Sequence, residues 1–429
     1  MEESMRSRKN AVFLFVIGAM LLSLFAVQIR GTELLPNREI HIQSANLVLT
    51  LQNQWTLLDK VEECKQILKA SPALEFVETK KVLVRKQISL CILNIETGNV
   101  VEKRYWLDNN DINRANTLRS SYQANTGNLP RFMPVDPKEE FQVINNWWNG
   151  WNSDWSIEVA GSTSNDIYIV LADKYSVPNS YITHPEDKTG PKYSDIIYAP
   201  YSEGVHDPEV AKRGLAYLNE KVDLAFQELR SQGVMSRSFP KELVVDTISP
   251  TFIKIILTVE QTDRSALIDK AVTDDERRKV AERVLARYGL NGDKSFRYTV
   301  SRAGAVGPAQ IMASTGSLII KRYPTADLFK DINLGRVDMV NAVKMAVLVF
   351  DDHLLEVINR VNKSGSRAKQ VFNTLTPDQL DEVRGMIYNG GSRKYNISTG
   401  GLNTRDRGAQ ETSGFLQKLR VIRGLKIYN

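Results

Sequence analysis

From Ala11 to Ile29 the chain runs without a charged residue, and Arg6, Arg8 and Lys9 stand just before it. A helix needs about twenty apolar residues to cross a bilayer, so the run from Phe13 to Val27 predicts a membrane span with its positive flank held in the cytoplasm. A cleaved signal has a shorter apolar core and a small-x-small cleavage site. Leu24-Phe25-Ala26 supplies no such site, so an uncleaved signal anchor is expected at 11–29. Residues 1–10 then form a cytoplasmic tail, and everything after Arg30 lies on the far side.

At 429 residues the chain exceeds what one ordinary hydrophobic core holds. Apolar residues make up 42% and charged residues 25%, a balance that excludes a largely disordered chain. The formal charge of +6 is spread along the sequence, whereas a nucleic-acid binder concentrates Lys and Arg in a stripe. No nucleic-acid partner is expected. Cys64 and Cys91 form no CxxC pair, and His41, His184, His206 and His353 are scattered. Neither a metal site nor a cofactor is indicated. In an exported chain the two cysteines could form a disulfide; otherwise they read as small buried apolar residues.

Residues 44–70 carry Leu47, Leu51, Trp55, Leu58 and Val61 at roughly helical spacing. From Lys81 the pattern alternates through Val82, Val84, Ile88, Leu90 and Ile92, turns at Glu96-Thr97-Gly98-Asn99 and resumes at Val100. That predicts a β-hairpin. A second strand pair is expected around Ser162-Thr163-Ser164-Asn165, from Trp155–Val159 and Ile167–Leu171. Trp147, Trp148, Trp151 and Trp155 cluster between the two pairs. Indole faces can stack on sugars, but tryptophans this close more often fill a small core. Val177 to Pro208 is rich in Pro, Tyr, Ser and Gly and reads as an irregular connection. Pro208 opens a helix, and a boundary is expected at about 234–245.

After Pro250-Thr251, with Thr251 as the expected cap, the run Phe252, Ile253, Ile255, Ile256, Leu257, Val259 closes on Glu260. On a helix, Glu260 shares a face with Ile253, Ile256 and Leu257. Partial burial there favours the neutral acid and raises its pKa, as a general acid working near neutral pH requires. The plainer reading is that the helix simply ends there. Ser301-Arg302-Ala303-Gly304-Ala305-Val306-Gly307-Pro308-Ala309-Gln310-Ile311-Met312 follows. Its glycines permit a tight bend and a close approach to a ligand, and Gln310 offers donors and an acceptor to a sugar. Further on come Asp331-Ile332-Asn333-Leu334-Gly335 before a helix over 337–361, then Ile387-Tyr388-Asn389-Gly390-Gly391, then Glu411-Thr412-Ser413-Gly414-Phe415-Leu416-Gln417-Lys418.

Taken in order, these segments resemble the motifs of lysozyme-like lytic transglycosylases, the superfamily of soluble lytic transglycosylases and goose-type lysozymes. The resemblance covers about residues 245 to 425. It implies cleavage of the bond between N-acetylmuramic acid and N-acetylglucosamine in peptidoglycan, with Glu260 as the single acid/base. Ser301, Gly304, Gln310, Tyr388 and Asn389 would hold the sugars, with no cofactor and no metal. Two rivals share the fold: a hydrolytic lysozyme, and an inactive glycan-binding scaffold of an envelope-spanning machine.

One departure stands out. The family places Ser after its Glu and about ten residues before the glycine-rich segment; here Gln261 follows, and about forty residues intervene. Residues 265–298 read as a charged helical insertion over one lip of the cleft, a lid or a partner surface. Glu276, Glu282 and Asp263 are the rival acids. The architecture expected is α+β: an N-terminal transmembrane helix, a mixed α/β region over 30–240, and a mainly α, lysozyme-like domain over 245–429. Such a protein would sit in the inner membrane through residues 11–29 with its bulk in the periplasm.

Overall fold

The structure, a computed structural model, describes residues 55–118, 129–159, 167–262, 264–269, 271–301 and 303–428. These residues correct the expected architecture. No helix among them is long and apolar enough to cross a membrane, and the expected span at 11–29 lies outside them. What they form is an antiparallel sheet joined to a helical half.

Helix α1, Leu57–Ala70, starts at a capping box in which Thr56 and Asp59 satisfy each other's backbone N–H groups. Strands β1 (Phe76–Thr79), β2 (Val82–Asn94) and β3 (Val100–Asp108) follow, so the expected hairpin is present, with Arg85–Leu93 paired antiparallel to Asp108–Val100. Helix α2 (Asn109–Leu118), β4 (Phe132–Pro134), β5 (Phe141–Trp147), β6 (Asp154–Val159), β7 (Tyr168–Pro178) and β8 (Tyr193–Tyr198) complete this half. The sheet runs β4-β3-β2-β7-β8, with β1 also on β2. The expected partnership of 155–159 with 167–171 does not form: β6 pairs with β5, and β7 pairs with β2 and β8. Both segments alternate in polarity, which fixes their faces but not their partners.

β2 is buried on both sides because the sheet is covered on both. Ile88, Leu90 and Ile92 face a core with Trp148, Trp155 and Tyr175. Cys91 and Leu93 face α1, where Cys64 is bonded to Cys91. Trp148 and Trp155 thus serve as core: both are buried, and the indole N–H of Trp148 donates to Asn116 at 2.9 Å.

In the helical half, α3 (Pro208–Ser231) begins with Pro at its first turn and Asp207 as cap. Next come α4 (Pro250–Glu260), α5 (Asp274–Asn291), α6 (Ala313–Arg322), α7 (Met339–Lys363), α8 (Ser366–Asn373), α9 (Pro377–Gly390) and α10 (Ala409–Gly424). The main core takes in α3 as well as α4 and α7, so it begins well before the expected boundary at 234–245. Helix α5 is no lid. Its Val284, Leu285 and Tyr288 enter the main core, while Ala286 and Leu290 enter the core beneath the sheet. It packs so closely on α3 that a Cβ at Gly214 would lie 1.8 Å from the Leu285 carbonyl, and one at Gly289 2.2 Å from that of Val210.

Candidate active site

The hydroxyl of Ser249, rather than Thr251, caps α4 by accepting from the N–H of Phe252 at 3.0 Å, with Pro250 in the first turn. Ile253, Ile256, Leu257 and Val259 are fully buried, and the helix ends at Glu260, which is half-buried. A carboxyl at that border faces protein on one side and solvent on the other. Burial dominates its ionisation and pushes its pKa up to about 7; the Lys418 ammonium opposes this, and the Glu411 carboxylate adds to it.

The residue after Glu260 ties this helix end to the glycine-rich segment. The side-chain amide of Gln261 donates to the carbonyl of Pro308 at 2.9 Å and to that of Gly307 at 3.3 Å. Lys418, on α10, donates to the carbonyls of Val259 and Thr262, which places a cation at the C-terminal end of α4 where the helix dipole favours one. Tyr388, on α9, donates its hydroxyl to the carbonyl of Ala309 and stacks on Phe350 with ring centroids 4.5 Å apart. Burial holds the Tyr388 phenol well above its usual pKa, and the charge of Glu260 adds to that. Glu260, the bend at 307–309 and Tyr388 therefore meet.

The bend holds itself together. The Ser301 hydroxyl accepts from the N–H of Ala305 at 3.0 Å, and the Gln310 amide donates to the Gly307 carbonyl at 2.7 Å. Gly307, at φ 79°, runs so close to Arg336 that a Cβ would lie 2.0 Å from the Arg336 carbonyl. Arg336 is buried and donates to the carbonyls of Ile311 at 3.1 Å and Gly304 at 3.3 Å. It also donates to Asn333 at 2.8 Å. Gly304 has open space around it. Asn389 accepts from the Thr412 hydroxyl at 2.9 Å, joining α9 to α10. Of the five residues expected to hold sugars, Ser301, Gln310, Tyr388 and Asn389 all make such internal ties, and Gly304 is open.

Comparison with protein-family models, curated proteins and solved structures finds no match to this chain.

The rival acids separate on their surroundings. Glu276 is the third residue of α5 and closes a capping box, accepting from the N–H and hydroxyl of Thr273 at 2.6 and 2.8 Å. Those bonds, the backbone one foremost, hold its carboxyl below the usual range, the opposite of what a proton donor needs. Glu282 lies 3.4 Å from His206, beside the sheet half. Asp263 lies outside the described residues. Among the described residues, no group of three or more His, Cys, Asp or Glu side chains could hold a metal ion.

No role was expected for Gln261, Arg336, Glu411 or Lys418. Glu411 and Lys418 stand in the segment 411–418, seven residues apart on one helix face. That spacing was the available signal.

Proposed function

We propose that this chain cleaves the glycan strands of peptidoglycan by a lytic transglycosylase reaction, with Glu260 as its acid/base. The observation that carries this reading is a carboxyl with a pKa of about 7, at a helix end bonded through Gln261 to the glycine-rich bend. Half of such a group is protonated at neutral pH, so one side chain can give a proton and take one back.

In the first step Glu260 protonates the glycosidic oxygen, the anomeric C–O bond breaks, and the muramoyl carbon acquires oxocarbenium character. In the second, the C6 hydroxyl of the same sugar bonds to that carbon and returns its proton to the Glu260 carboxylate. A 1,6-anhydro ring closes, and no water is consumed. Lys418 stands near enough to stabilise the carboxylate between the steps.

A second reading, hydrolysis on the same site, is favoured by one observation. The Glu411 carboxylate lies within electrostatic reach of Glu260, and paired carboxylates serve hydrolytic glycosidases by activating water. Mass analysis of the muropeptides separates the two, because the transglycosylase product lacks one water. Purified Glu260→Gln that clears cell-wall suspensions as fast as the wild type would sink both. The Cys64–Cys91 disulfide supports an oxidising location such as the cell envelope outside the cytoplasm.

A further inference from the structure

Away from the Glu260 site, a groove of about 450 Å³ opens where α1, the start of α3 and the chain after α5 come together. That is within the size range of small-molecule sites. Five cations line it: Lys65, Lys69, Arg213, Lys294 and Arg297. Three carboxylates line it as well, but each is already committed. Glu62 takes Lys65 at 3.0 Å, Glu186 takes Arg297 at 3.2 Å, and Asp293 takes Lys221 at 3.4 Å together with the Tyr217 hydroxyl at 2.8 Å. Asp187, behind them, is shared by Arg297 at 3.0 Å and Lys294 at 3.4 Å. Lys69 and Arg213 have no ion-pair partner among the described residues.

A second observation is independent of this charge count. Arg297 is 6% exposed, and its Nε is buried without a hydrogen-bond partner. A buried guanidinium N–H left unmatched is costly, and Nε is one arm of the fork with which Arg grips a carboxylate or phosphate. The Lys65 ammonium points the same way: burial lowers its pKa, the pairing with Glu62 opposes this, and the nearby charges of Arg213 and Lys294 add to the lowering. Beside these groups, a side chain at Gly292 would meet nothing within 4 Å, so the groove is open there.

The geometry points to a binding site for a small polyanion bearing carboxylate or phosphate groups, gripped by Lys69, Arg213, Lys294 and Arg297. The site makes no use of Glu260, so it stands or falls apart from the glycan-cleaving reading.

Calorimetric titration of the purified full chain with citrate and, separately, with pyrophosphate tests it, at ionic strength matched with sodium chloride. Saturable binding of citrate alone identifies a carboxylate ligand, and of pyrophosphate alone a phosphate ligand. Hydrogen exchange on the bound protein should slow at residues 290–297. Lys69→Glu and Arg213→Glu, both exposed and outside the catalytic machinery, should each weaken binding by roughly tenfold or more while leaving the melting temperature unchanged. Heats no larger than those of sodium chloride, or affinity unchanged in both variants, would overturn the proposal.

Discussion

The side-chain amide of Gln261 donates to the carbonyl of Pro308 at 2.9 Å, across 47 positions of sequence. One neighbour in the chain is the carboxyl with the raised pKa; the other end of the bond is the bend whose Gly307 backbone touches Arg336. The motif expected from the sequence would place a Ser after Glu260. Here the longer Gln reaches the bend directly, and the forty residues between the two segments include a helix whose buried face enters two cores.

Replacing Gln261 by Ala tests whether that bond positions the acid. A neutral hydrogen bond contributes about 1 kcal/mol to stability, so the melting temperature should fall by only a few degrees. Misplacing a catalytic group by about an ångström costs up to roughly a hundredfold in rate. The expected result is therefore a ten- to hundredfold lower kcat on isolated cell walls with nearly native stability. Equal loss of both would make Gln261 a structural residue only.

The ionisation of Glu260 makes two linked forecasts. Its carboxyl rises from an ordinary 4.5 to about 7 on folding, so the native state binds a proton more tightly than the unfolded one. The contribution is present in full below pH 4.5 and is lost as pH rises through 7. Relative to wild type, Glu260→Gln should gain nothing at pH 4 and up to roughly 3 kcal/mol above pH 8, read as the difference in urea midpoint across that range. Glycan cleavage by the wild type should fall on the alkaline side with a midpoint near 7, because the proton donor is then lost. A variant as stable as the wild type at both ends of the range would show that Glu260 is not perturbed.

Lys418 and Glu411 act on Glu260 with opposite signs, so their removal should move the alkaline limb in opposite directions. Lys418→Met removes a cation that favours the carboxylate, and the limb should shift upward. It also frees the carbonyls of Val259 and Thr262, at a cost of about 1–3 kcal/mol. Glu411→Gln removes a neighbouring negative charge, and the limb should shift downward with little change in stability, since Glu411 is exposed. If Glu411→Gln instead abolishes cleavage at every pH, Glu411 takes part in the reaction and the hydrolytic reading gains.

What could be read from the chain depended on whether the signal was local. The β2–β3 hairpin announced itself by alternation and a Gly-containing turn, and Glu260 by its place at the end of an apolar run. The pairing of β5 with β6 could not be read, because period-two patterns carry no partner label. Helix α5 misled for a related reason. Arg277, Arg278, Lys279 and Glu282 stand outside its buried face, which is partly built from Ala281, Ala286 and Gly289, small residues that do not register as an apolar stripe. Sugar contacts were expected of Gln310 from its chemistry and of Ser301 from the resemblance, yet both spend hydrogen bonds on the bend itself. A polar side chain in a motif can hold the motif's shape as readily as its ligand.

The status of α5 can be settled at Gly289. A Cβ there would lie 2.2 Å from the carbonyl of Val210 and 3.1 Å from the N–H of Gly214. Both are backbone atoms of α3, so no side chain can turn aside and the two helices must separate. Overpacking of this kind typically costs 1–3 kcal/mol, sometimes more, and here it would loosen Val284, Leu285 and Tyr288 in one core and Ala286 and Leu290 in another. Gly289→Ala should therefore lower the melting temperature by at least several degrees and raise amide exchange along both helices. A lid would behave otherwise: the same substitution would alter the Michaelis constant for cell walls while thermal stability stayed put. Unchanged melting together with an altered Michaelis constant would return α5 to the surface of the cleft.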